Sequence, residues 1–351
     1  WSESLFLFFA FLSLIIFARY ISTSRSHYLI LASVALGLGI ATRYVGIALL
    51  PTLLAVLFFL GKQPVKSKVK AALGILVLAL LPILAWTIRN LTLTNSAANR
   101  TYNYHPLRAG KIKAMIDVLH DFFISNAGSW QLHAIELVLL LGGLIFLMVY
   151  ILHRKTQLDD IQTRAAANGL TGVLFSVLYL VILLVSITFL DASTPLDERL
   201  LLPFFLFMVI AVFSLVSVYA RQKNNRLVWV VLLALFLLAA RFNLSDMLTT
   251  ARDFRQNGIA FNSVKWNNSA TLSKLEELHR DGDVYSNGSD IIPYKTGIKS
   301  TSIPLLYSPT SLLPNEDYDW QVQLMCEEVS QGDALLVYFD TIQWRDYYPV
   351  E

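Results

Sequence analysis

Long apolar segments separated by short polar gaps make up the first 243 residues of the chain. A helix rises about 1.5 Å per residue and needs about 20 apolar residues to cross a bilayer. Only 15% of the 351 residues are charged, whereas soluble proteins usually have about 25%. The pattern predicts an all-α polytopic membrane protein with eight spans, at about residues 5–18, 28–42, 44–60, 71–88, 134–152, 168–190, 200–220 and 227–243.

Basic residues are concentrated in alternate gaps between these segments, at residues 19–27, 61–70, 153–164 and 221–226. Because Lys and Arg are enriched in cytoplasmic loops, these four gaps are predicted to face the cytoplasm. The opposite side would then hold Trp1–Ser4, the loop 89–133, the turn 191–199 and everything after residue 243. We therefore predict an integral protein of the cytoplasmic membrane with an extracytoplasmic C-terminal part.

The last part of the chain, residues 244–351, has the mixed pattern of a small α/β domain, distinct from the transmembrane region at 1–243. Leucines at helical spacing predict a helix at 271–280. Residues 283–297 are typical of a strand, a turn and a second strand, and 332–340 of a buried strand. The single cysteine, Cys326, excludes a disulfide framework, and we expect it to be a core thiol.

Several function classes lack support in the sequence. The net charge of +3 and the absence of basic clusters with interleaved aromatics argue against nucleic acid as a partner. No glycine-rich dinucleotide motif, Walker A sequence, His-Glu-x-x-His or Gly-x-Ser-x-Gly is present. No cofactor is therefore expected, and the participation of a divalent metal is left open.

Arg43 stands inside an apolar run from Tyr28 to Leu60 that would be about 50 Å long as one helix. An arginine at the centre of a membrane helix costs roughly 2.5–3.5 kcal/mol, so we predict a turn at Thr42–Tyr44 on the outer surface. Arginine can grip a lipid phosphate there with its planar fork, or simply anchor a helix end. The candidate phosphate- or substrate-binding residues at this level are Arg43, Tyr44, Arg89, Asn90, Arg100, Asp197 and Arg199, and Glu3 is a weak candidate for a catalytic role.

The long outer loop offers a second set of candidates. Tyr102, Tyr104 and His105 could hold a sugar or a lipid head group, or form an interfacial aromatic belt. The segment 111–123 is amphipathic and is expected to lie along the interface. Within it, His120 and Asp121 are neighbours, which is a weak signal for a catalytic or metal site.

Four segments in fixed order carry a family resemblance: "WSESLFLFFAFL", "LGLGIATRYVGIALLP", "LPILAWTIRNLTLTNSAANR" and "LDERLLLPFF". Together they resemble bacterial membrane glycosyltransferases of the GT-C class, similar to the protein O-mannosyltransferases and the lipid-A aminoarabinose transferase. The resemblance implies a GT-C-like helical bundle. It also implies transfer of a sugar, with inversion, from a polyprenyl-phosphate carrier in the membrane lipid to an acceptor hydroxyl on the outer side.

This chemistry needs a base for the acceptor hydroxyl and cations for the departing phosphate. The resemblance implies that Arg43, Arg89 and Arg199 serve the phosphate. In the family the base is an Asp or Asp-Glu in the first outer loop, which precedes the part of the pattern matched by Trp1. We therefore expect an N-terminally truncated chain that lacks its catalytic base, with the full-length parent as the hexosyltransferase.

Two other classes of function stay open. A transporter or flippase for a lipid-linked sugar could use the same arginines without a base, although no repeat is visible. A non-catalytic membrane subunit could bind a partner through its C-terminal domain. Within the same chemistry, the mannosyltransferases of glycolipid-anchor synthesis also begin with a similar "SESLF" segment.

Overall fold

The computed structural model describes residues 2–94, 102–107, 109–122, 129–190, 194–223, 225–278, 282–308 and 313–342. The chain divides into two compact units. The first contains Trp1–Phe189 and Pro195–Phe242, and the second contains Leu190–Thr194 and Asn243–Glu351. The sequence predicts a transmembrane glycosyltransferase region at 1–243 and an extracytoplasmic domain at 244–351. These two assignments stay predictions.

The first unit is a bundle of helices, as the sequence predicts. Its helices are α1 (Ser2–Thr23), α2 (Ser26–Thr42), α3 (Leu49–Leu60), α4 (Val65–Thr94), α5 (Ala109–Asp121), α6 (Trp130–His153), α7 (Asp160–Phe189), α8 (Glu198–Lys223) and the first part of α9 (Arg226–Asn257), which belongs to the second unit from Asn243 onwards. Short 3₁₀ turns at Tyr44–Ala48 and Lys155–Gln157 connect α2 to α3 and α6 to α7.

The number of long membrane spans is lower than predicted. Within the described residues, five helices are long and apolar enough to cross a membrane, namely α1, α4, α6, α7 and α8. The segments Ser26–Thr42 and Tyr44–Leu60 are apolar but shorter. At about 1.5 Å per residue, α2 is too short to cross the roughly 30 Å hydrocarbon core. The eighth predicted span lies in α9, which is not among the five. Eight spans are therefore not confirmed, while the five long helices fit an integral membrane protein.

Small residues allow the helices of this unit to approach closely. A Cβ atom on Gly172 of α7 would lie 2.5 Å from the carbonyl oxygen of Phe207 in α8. A Cβ atom on Gly37 of α2 would lie 2.8 Å from the carbonyl oxygen of Ala79 in α4. Such close approach replaces the hydrophobic driving force that helices lack inside a membrane.

The second unit contains a three-stranded parallel sheet with helices on both faces. The strands are β1 (Asp283–Ser286), β2 (Thr301–Ser302) and β3 (Ala334–Val337), in the order β2–β1–β3. Four helices accompany the sheet: α10 (Val264–Asn267), α11 (Ala270–Leu278), α12 (Ile291–Thr296) and α13 (Tyr318–Gln331). Val284 packs with residues of α10, α11 and α12 in one core, whereas Tyr285 faces Glu328 of α13.

Three local predictions for this unit were wrong. Residues 291–296 form the helix α12 instead of a strand, because its short apolar run fits either structure until the core decides. In β3 only Ala334 is buried, and Leu335 and Leu336 are exposed at an edge of the sheet. Cys326 is an exposed free thiol on α13 instead of a core thiol. The predicted helix at 271–280 is confirmed over residues 271–278, which belong to α11 (Ala270–Leu278), and residues 279–280 lie outside the described residues.

Candidate functional site

The chain turns at Arg43, where the sequence predicts a turn. Helix α2 ends at Thr42, and the backbone of Arg43 is extended, with φ −148° and ψ 123°. The N–H group of Arg43 donates a hydrogen bond to the carbonyl oxygen of Gly39, at 3.1 Å. The 3₁₀ turn begins at the next residue, so Arg43 lies between two apolar helices and not inside one.

Three charged side chains that are distant in sequence meet at this turn, and we call them the Glu3 cluster: Glu3, Arg43 and Arg199. The Nη1 atom of Arg43 lies 2.7 Å from Oε1 of Glu3, and Nε of Arg199 lies 3.6 Å from the same oxygen. The side chains of Glu3 and Arg43 are only 16% and 17% exposed, whereas that of Arg199 is 70% exposed. The carboxylate therefore offsets the charge of the half-buried arginine, and Arg199 remains open to solvent.

Packing between α1 and the turn positions two of these side chains, Glu3 and Arg43. Glu3 lies in the first turn of α1, where the helix dipole favours an acidic residue. The Phe6 ring of α1 packs so closely on Gly46 that a Cβ atom there would lie 2.8 Å away. This contact holds the turn after Arg43 against the start of α1.

Asp197 has a structural role at the start of α8. Its Oδ1 atom accepts a hydrogen bond from the N–H group of Leu200, at 2.9 Å, which is the geometry of a helix N-cap. The cap fixes the first turn of α8, which contains Arg199. A direct contact of Asp197 with substrate stays a prediction.

The remaining candidates lie around the end of α4. The Tyr44 ring packs edge-on against Trp86 at 5.8 Å, and Arg89 and Asn90 follow one turn later on the same helix face. Arg89 is exposed and makes no ion pair with another described residue. The structure therefore connects Tyr44 to α4 but does not bring Arg89 to Glu3, and Arg100 lies outside the described residues.

The loop at 102–107 covers the end of α7. The N–H groups of Asn103 and His105 donate to the carbonyl oxygens of Phe189 and Thr188, at 2.9 and 2.8 Å. The Tyr102 ring stacks on Phe189 at 5.3 Å. This loop satisfies backbone acceptors that a helix end leaves free, while a role in holding a sugar stays a prediction.

A second cluster, which we call the histidine cluster, joins α5 to α6. The rings of His120 and His133 are both buried and stack at 3.7 Å. Nε2 of His120 lies 2.5 Å from Oε2 of Glu136, and Nδ1 of His133 lies 3.0 Å from Oδ1 of Asp117. Each buried imidazole therefore faces a carboxylate on the other helix, which ties the two helices together.

Sequence reasoning proposed His120 with Asp121 and missed the other members of the histidine cluster. The Nδ1 atom of His120 is 3.7 Å from Asp121, so Glu136 is the closer partner. The available signal was the repeated spacing of three residues, which places 117 with 120 and 133 with 136 on one helix face each. In the part of the chain that the structure describes, no group of three or more His, Cys, Asp or Glu is placed to hold a metal ion.

One comparison with known proteins finds a match to part of the chain. Residues 2–86 match the family described as dolichyl-phosphate-mannose-protein mannosyltransferase. The matched segment contains Glu3, Arg43 and most of α4, whereas Arg199 lies outside it. No curated protein and no solved structure matches the chain. The match supports a membrane glycosyltransferase and, in part, the resemblance seen in the sequence.

Proposed function

We propose that the protein is a membrane glycosyltransferase that takes a sugar from a polyprenyl-phosphate-linked donor. It would transfer this sugar, with inversion, to an acceptor hydroxyl on the outer side of the membrane. The observation that carries the proposal is the Glu3 cluster, because two of its three members lie in the segment that matches the mannosyltransferase family. The five long apolar helices suit a donor that is itself a membrane lipid.

The charge of the Glu3 cluster suits a phosphodiester. Two guanidinium groups and one carboxylate leave a formal charge of one positive unit, and a sugar linked to polyprenyl phosphate carries one negative unit at its phosphodiester. Arg43 meets Glu3 through Nη1, and a guanidinium has five N–H donors in a fixed fork. The other donors of Arg43, with the exposed Arg199, are available for phosphate oxygens.

In the proposed reaction the acceptor oxygen forms a bond to the anomeric carbon of the sugar. The bond from that carbon to the phosphate oxygen breaks, its electron pair leaves with the phosphate, and the hydroxyl proton passes to a base. Negative charge on the phosphate increases as it leaves, so nearby cations stabilise the transition state more than the bound donor. We assign Glu3 to positioning Arg43, because its Oε1 atom already lies 2.7 Å from Nη1 of Arg43, and we leave the base unassigned.

The test of this proposal measures binding of polyprenyl phosphate to the full chain in lipid nanodiscs. Arg43→Ala and Arg199→Ala each remove charge-assisted hydrogen bonds worth about 1.5–3 kcal/mol, so affinity should fall about 10- to 100-fold. The matched control is Arg25→Ala, an exposed arginine between α1 and α2 at the other end of these helices. Binding of polyprenol, which lacks the phosphate, should be equally weak in all four proteins.

Transfer is measured separately in membranes that contain the protein as its gene encodes it, together with polyprenyl-phosphate-linked radiolabelled mannose. Release of mannose from the donor should decrease in both cluster variants and persist in Arg25→Ala. Wild-type affinity for polyprenyl phosphate in Arg43→Ala and Arg199→Ala would refute the phosphate contact. Unchanged mannose release in both variants would refute a role of the cluster in transfer.

A further inference from the structure

A cleft in the second unit lies beyond the carboxyl end of β3, and its Phe339 is hydrogen-bonded to Asn287, the residue that follows β1. Its volume is about 240 Å³, and it is lined by Lys265, Trp266, Ser269 and Thr271 together with the segment after β3, residues 338–341. The chain adds β2 on one side of β1 and β3 on the other side, so the order in which strands are added reverses between β1 and β3. In open parallel sheets, ligands bind outside the carboxyl ends of the strands at such a reversal.

The walls of the cleft are fixed by buried contacts. The side chain of Asn287 is fully buried, donates through Nδ2 to the carbonyl oxygen of Phe339 at 3.0 Å, and accepts from the N–H group of Phe339 at 2.9 Å. The Trp266 ring packs edge-on against Phe339 at 5.3 Å. The segment after β3 is therefore held in place before any ligand binds, which lowers the entropic cost of binding.

The groups that line the cleft suit a hydroxyl-rich, uncharged ligand. Ser269, Thr271 and Thr341 offer hydroxyl groups that both donate and accept hydrogen bonds. The charges of Lys265 and Asp340 cancel, which argues against a phosphate or another anion. The half-exposed ring of Tyr338 offers an apolar surface beside these polar groups.

We propose that this cleft is a sugar-binding site that accepts one monosaccharide unit of a glycan. A sugar ring presents hydroxyl groups at its edge and C–H groups on its face, which match the polar groups and the Tyr338 ring. The volume of about 240 Å³ is below the roughly 300–1,000 Å³ of pockets for drug-sized ligands, so one ring fits better than a longer chain. The site goes beyond the proposed transferase function and does not depend on it.

The experiment uses the full chain in nanodiscs of phosphatidylcholine, which contain no glycolipid. Saturation-transfer NMR is recorded with the methyl glycosides of mannose, glucose, galactose and N-acetylglucosamine in separate samples. We expect binding of at least one glycoside, weakened about tenfold by Asp340→Asn, which replaces the carboxylate that accepts from sugar hydroxyls. Asp319→Asn on α13 is the matched control, and it should bind the glycoside as the wild type does.

Three results would overturn the proposal: no binding of any of the four glycosides, equal binding by Asp340→Asn and Asp319→Asn, or displacement of the glycoside by inorganic phosphate. Unfolding temperatures of both variants, measured in the same nanodiscs, identify a loss of binding caused by misfolding. If Asp340→Asn unfolds early, Thr341→Val replaces it in the comparison. Arg43→Ala should keep glycoside binding, and Asp340→Asn should keep polyprenyl phosphate binding, so the two proposals fail separately.

Discussion

Arg43 and Glu3 form an ion pair that is largely shielded from solvent. Substituting either residue should therefore lower the free energy of unfolding. Glu3→Gln leaves the cation of Arg43 without its carboxylate and next to a second cation, Arg199. We expect this variant to be less stable than the double variant Glu3→Gln with Arg43→Gln, because an unpaired, partly buried charge costs more than two neutral amides. The free energies of unfolding, measured by denaturant titration in one detergent, test this order.

Adding the single variant Arg43→Gln to these measurements gives a double-mutant cycle for the pair. Residues in direct contact usually show coupling energies of roughly 0.5–3 kcal/mol, and we expect a value in this range for Glu3 and Arg43. Additive effects of the two single substitutions would contradict the ion pair. Ser22→Ala, at the opposite end of α1, serves as a control that should not couple to Arg43.

Tyr285 provides a prediction of pH dependence outside the membrane helices. Its hydroxyl donates to Oε2 of Glu328 at 2.7 Å, and this hydrogen bond, followed by burial and negative neighbours, raises the pKa of Tyr285 to about 12 from 10.0. Because the folded chain then holds the proton more tightly than the unfolded chain, the contribution to stability is complete below pH 10. It decreases as pH rises from about 10 to 12.

The ionisation of Tyr285 is measured from the ultraviolet difference spectrum between the wild type and Tyr285→Phe. The difference should titrate with a pKa near 12 in the wild type and lower in Glu328→Gln, which removes the negative acceptor. A difference spectrum that titrates near 10 in both proteins would contradict the hydrogen bond to Glu328.

Single residues also show which parts of the candidate site could be predicted from the sequence. Arg43 could be placed at a turn, because a cation at the centre of a membrane helix is energetically costly. Its partner Glu3 could be assigned only to the same membrane level, since 39 intervening residues separate them and contacts between helices are not encoded in local spacing. Arg89 also ends an apolar run, but it lies inside α4 and makes no ion pair with Glu3, which only the packing shows.

Among the elements, α7 and α8 approach each other closely at Gly172. A Cβ atom on Gly172 would meet backbone atoms of α8, the carbonyl oxygen of Phe207 at 2.5 Å and the nitrogen of Ala211 at 3.0 Å. Backbone cannot move aside as a side chain can, so Gly172→Ala should destabilise the protein by about 1–3 kcal/mol, as overpacking usually does.

Gly143→Ala in α6 is the matched control for this prediction. No heavy atom lies within 4 Å of the Cβ position there, and alanine is favoured over glycine in a helix by about 1 kcal/mol. This variant should therefore be as stable as the wild type or more stable in thermal unfolding. Equal effects of the two substitutions would show that the close approach of α7 to α8 does not limit stability.

The elements that the sequence predicted correctly are those with a long, regular pattern. The apolar runs of α1, α7 and α8 exceed the length of a bilayer crossing, and α11 has a clear leucine face. Predictions failed for short segments, where a few apolar residues fit a helix or a strand equally well. Residues 291–296 became helical because Ile291 and Ile292 fill the core beside Trp266.

At the scale of the whole molecule, the two compact units differ in the side chains that they expose. The first exposes large apolar side chains such as Leu73, Val77 and Leu81 along α4, which suits contact with lipid. The second exposes fewer apolar side chains on its helices, although Leu335, Leu336 and Trp320 are exposed there. The proposed functions divide in the same way, with a lipid phosphate at the Glu3 cluster and a sugar ring in the cleft.

The single cysteine makes the predicted topology measurable without a new label. Cys326 is exposed on α13, and the distribution of basic residues predicts that it lies on the outer side. A membrane-impermeant maleimide should therefore react with Cys326 in right-side-out vesicles and not in inverted vesicles. The matched control is Lys62→Cys in a Cys326→Ser background, because Lys62 is exposed between α3 and α4 on the predicted cytoplasmic side. It should react only in inverted vesicles, and labelling of both cysteines from the same side would contradict the topology and, with it, sugar transfer at the outer face.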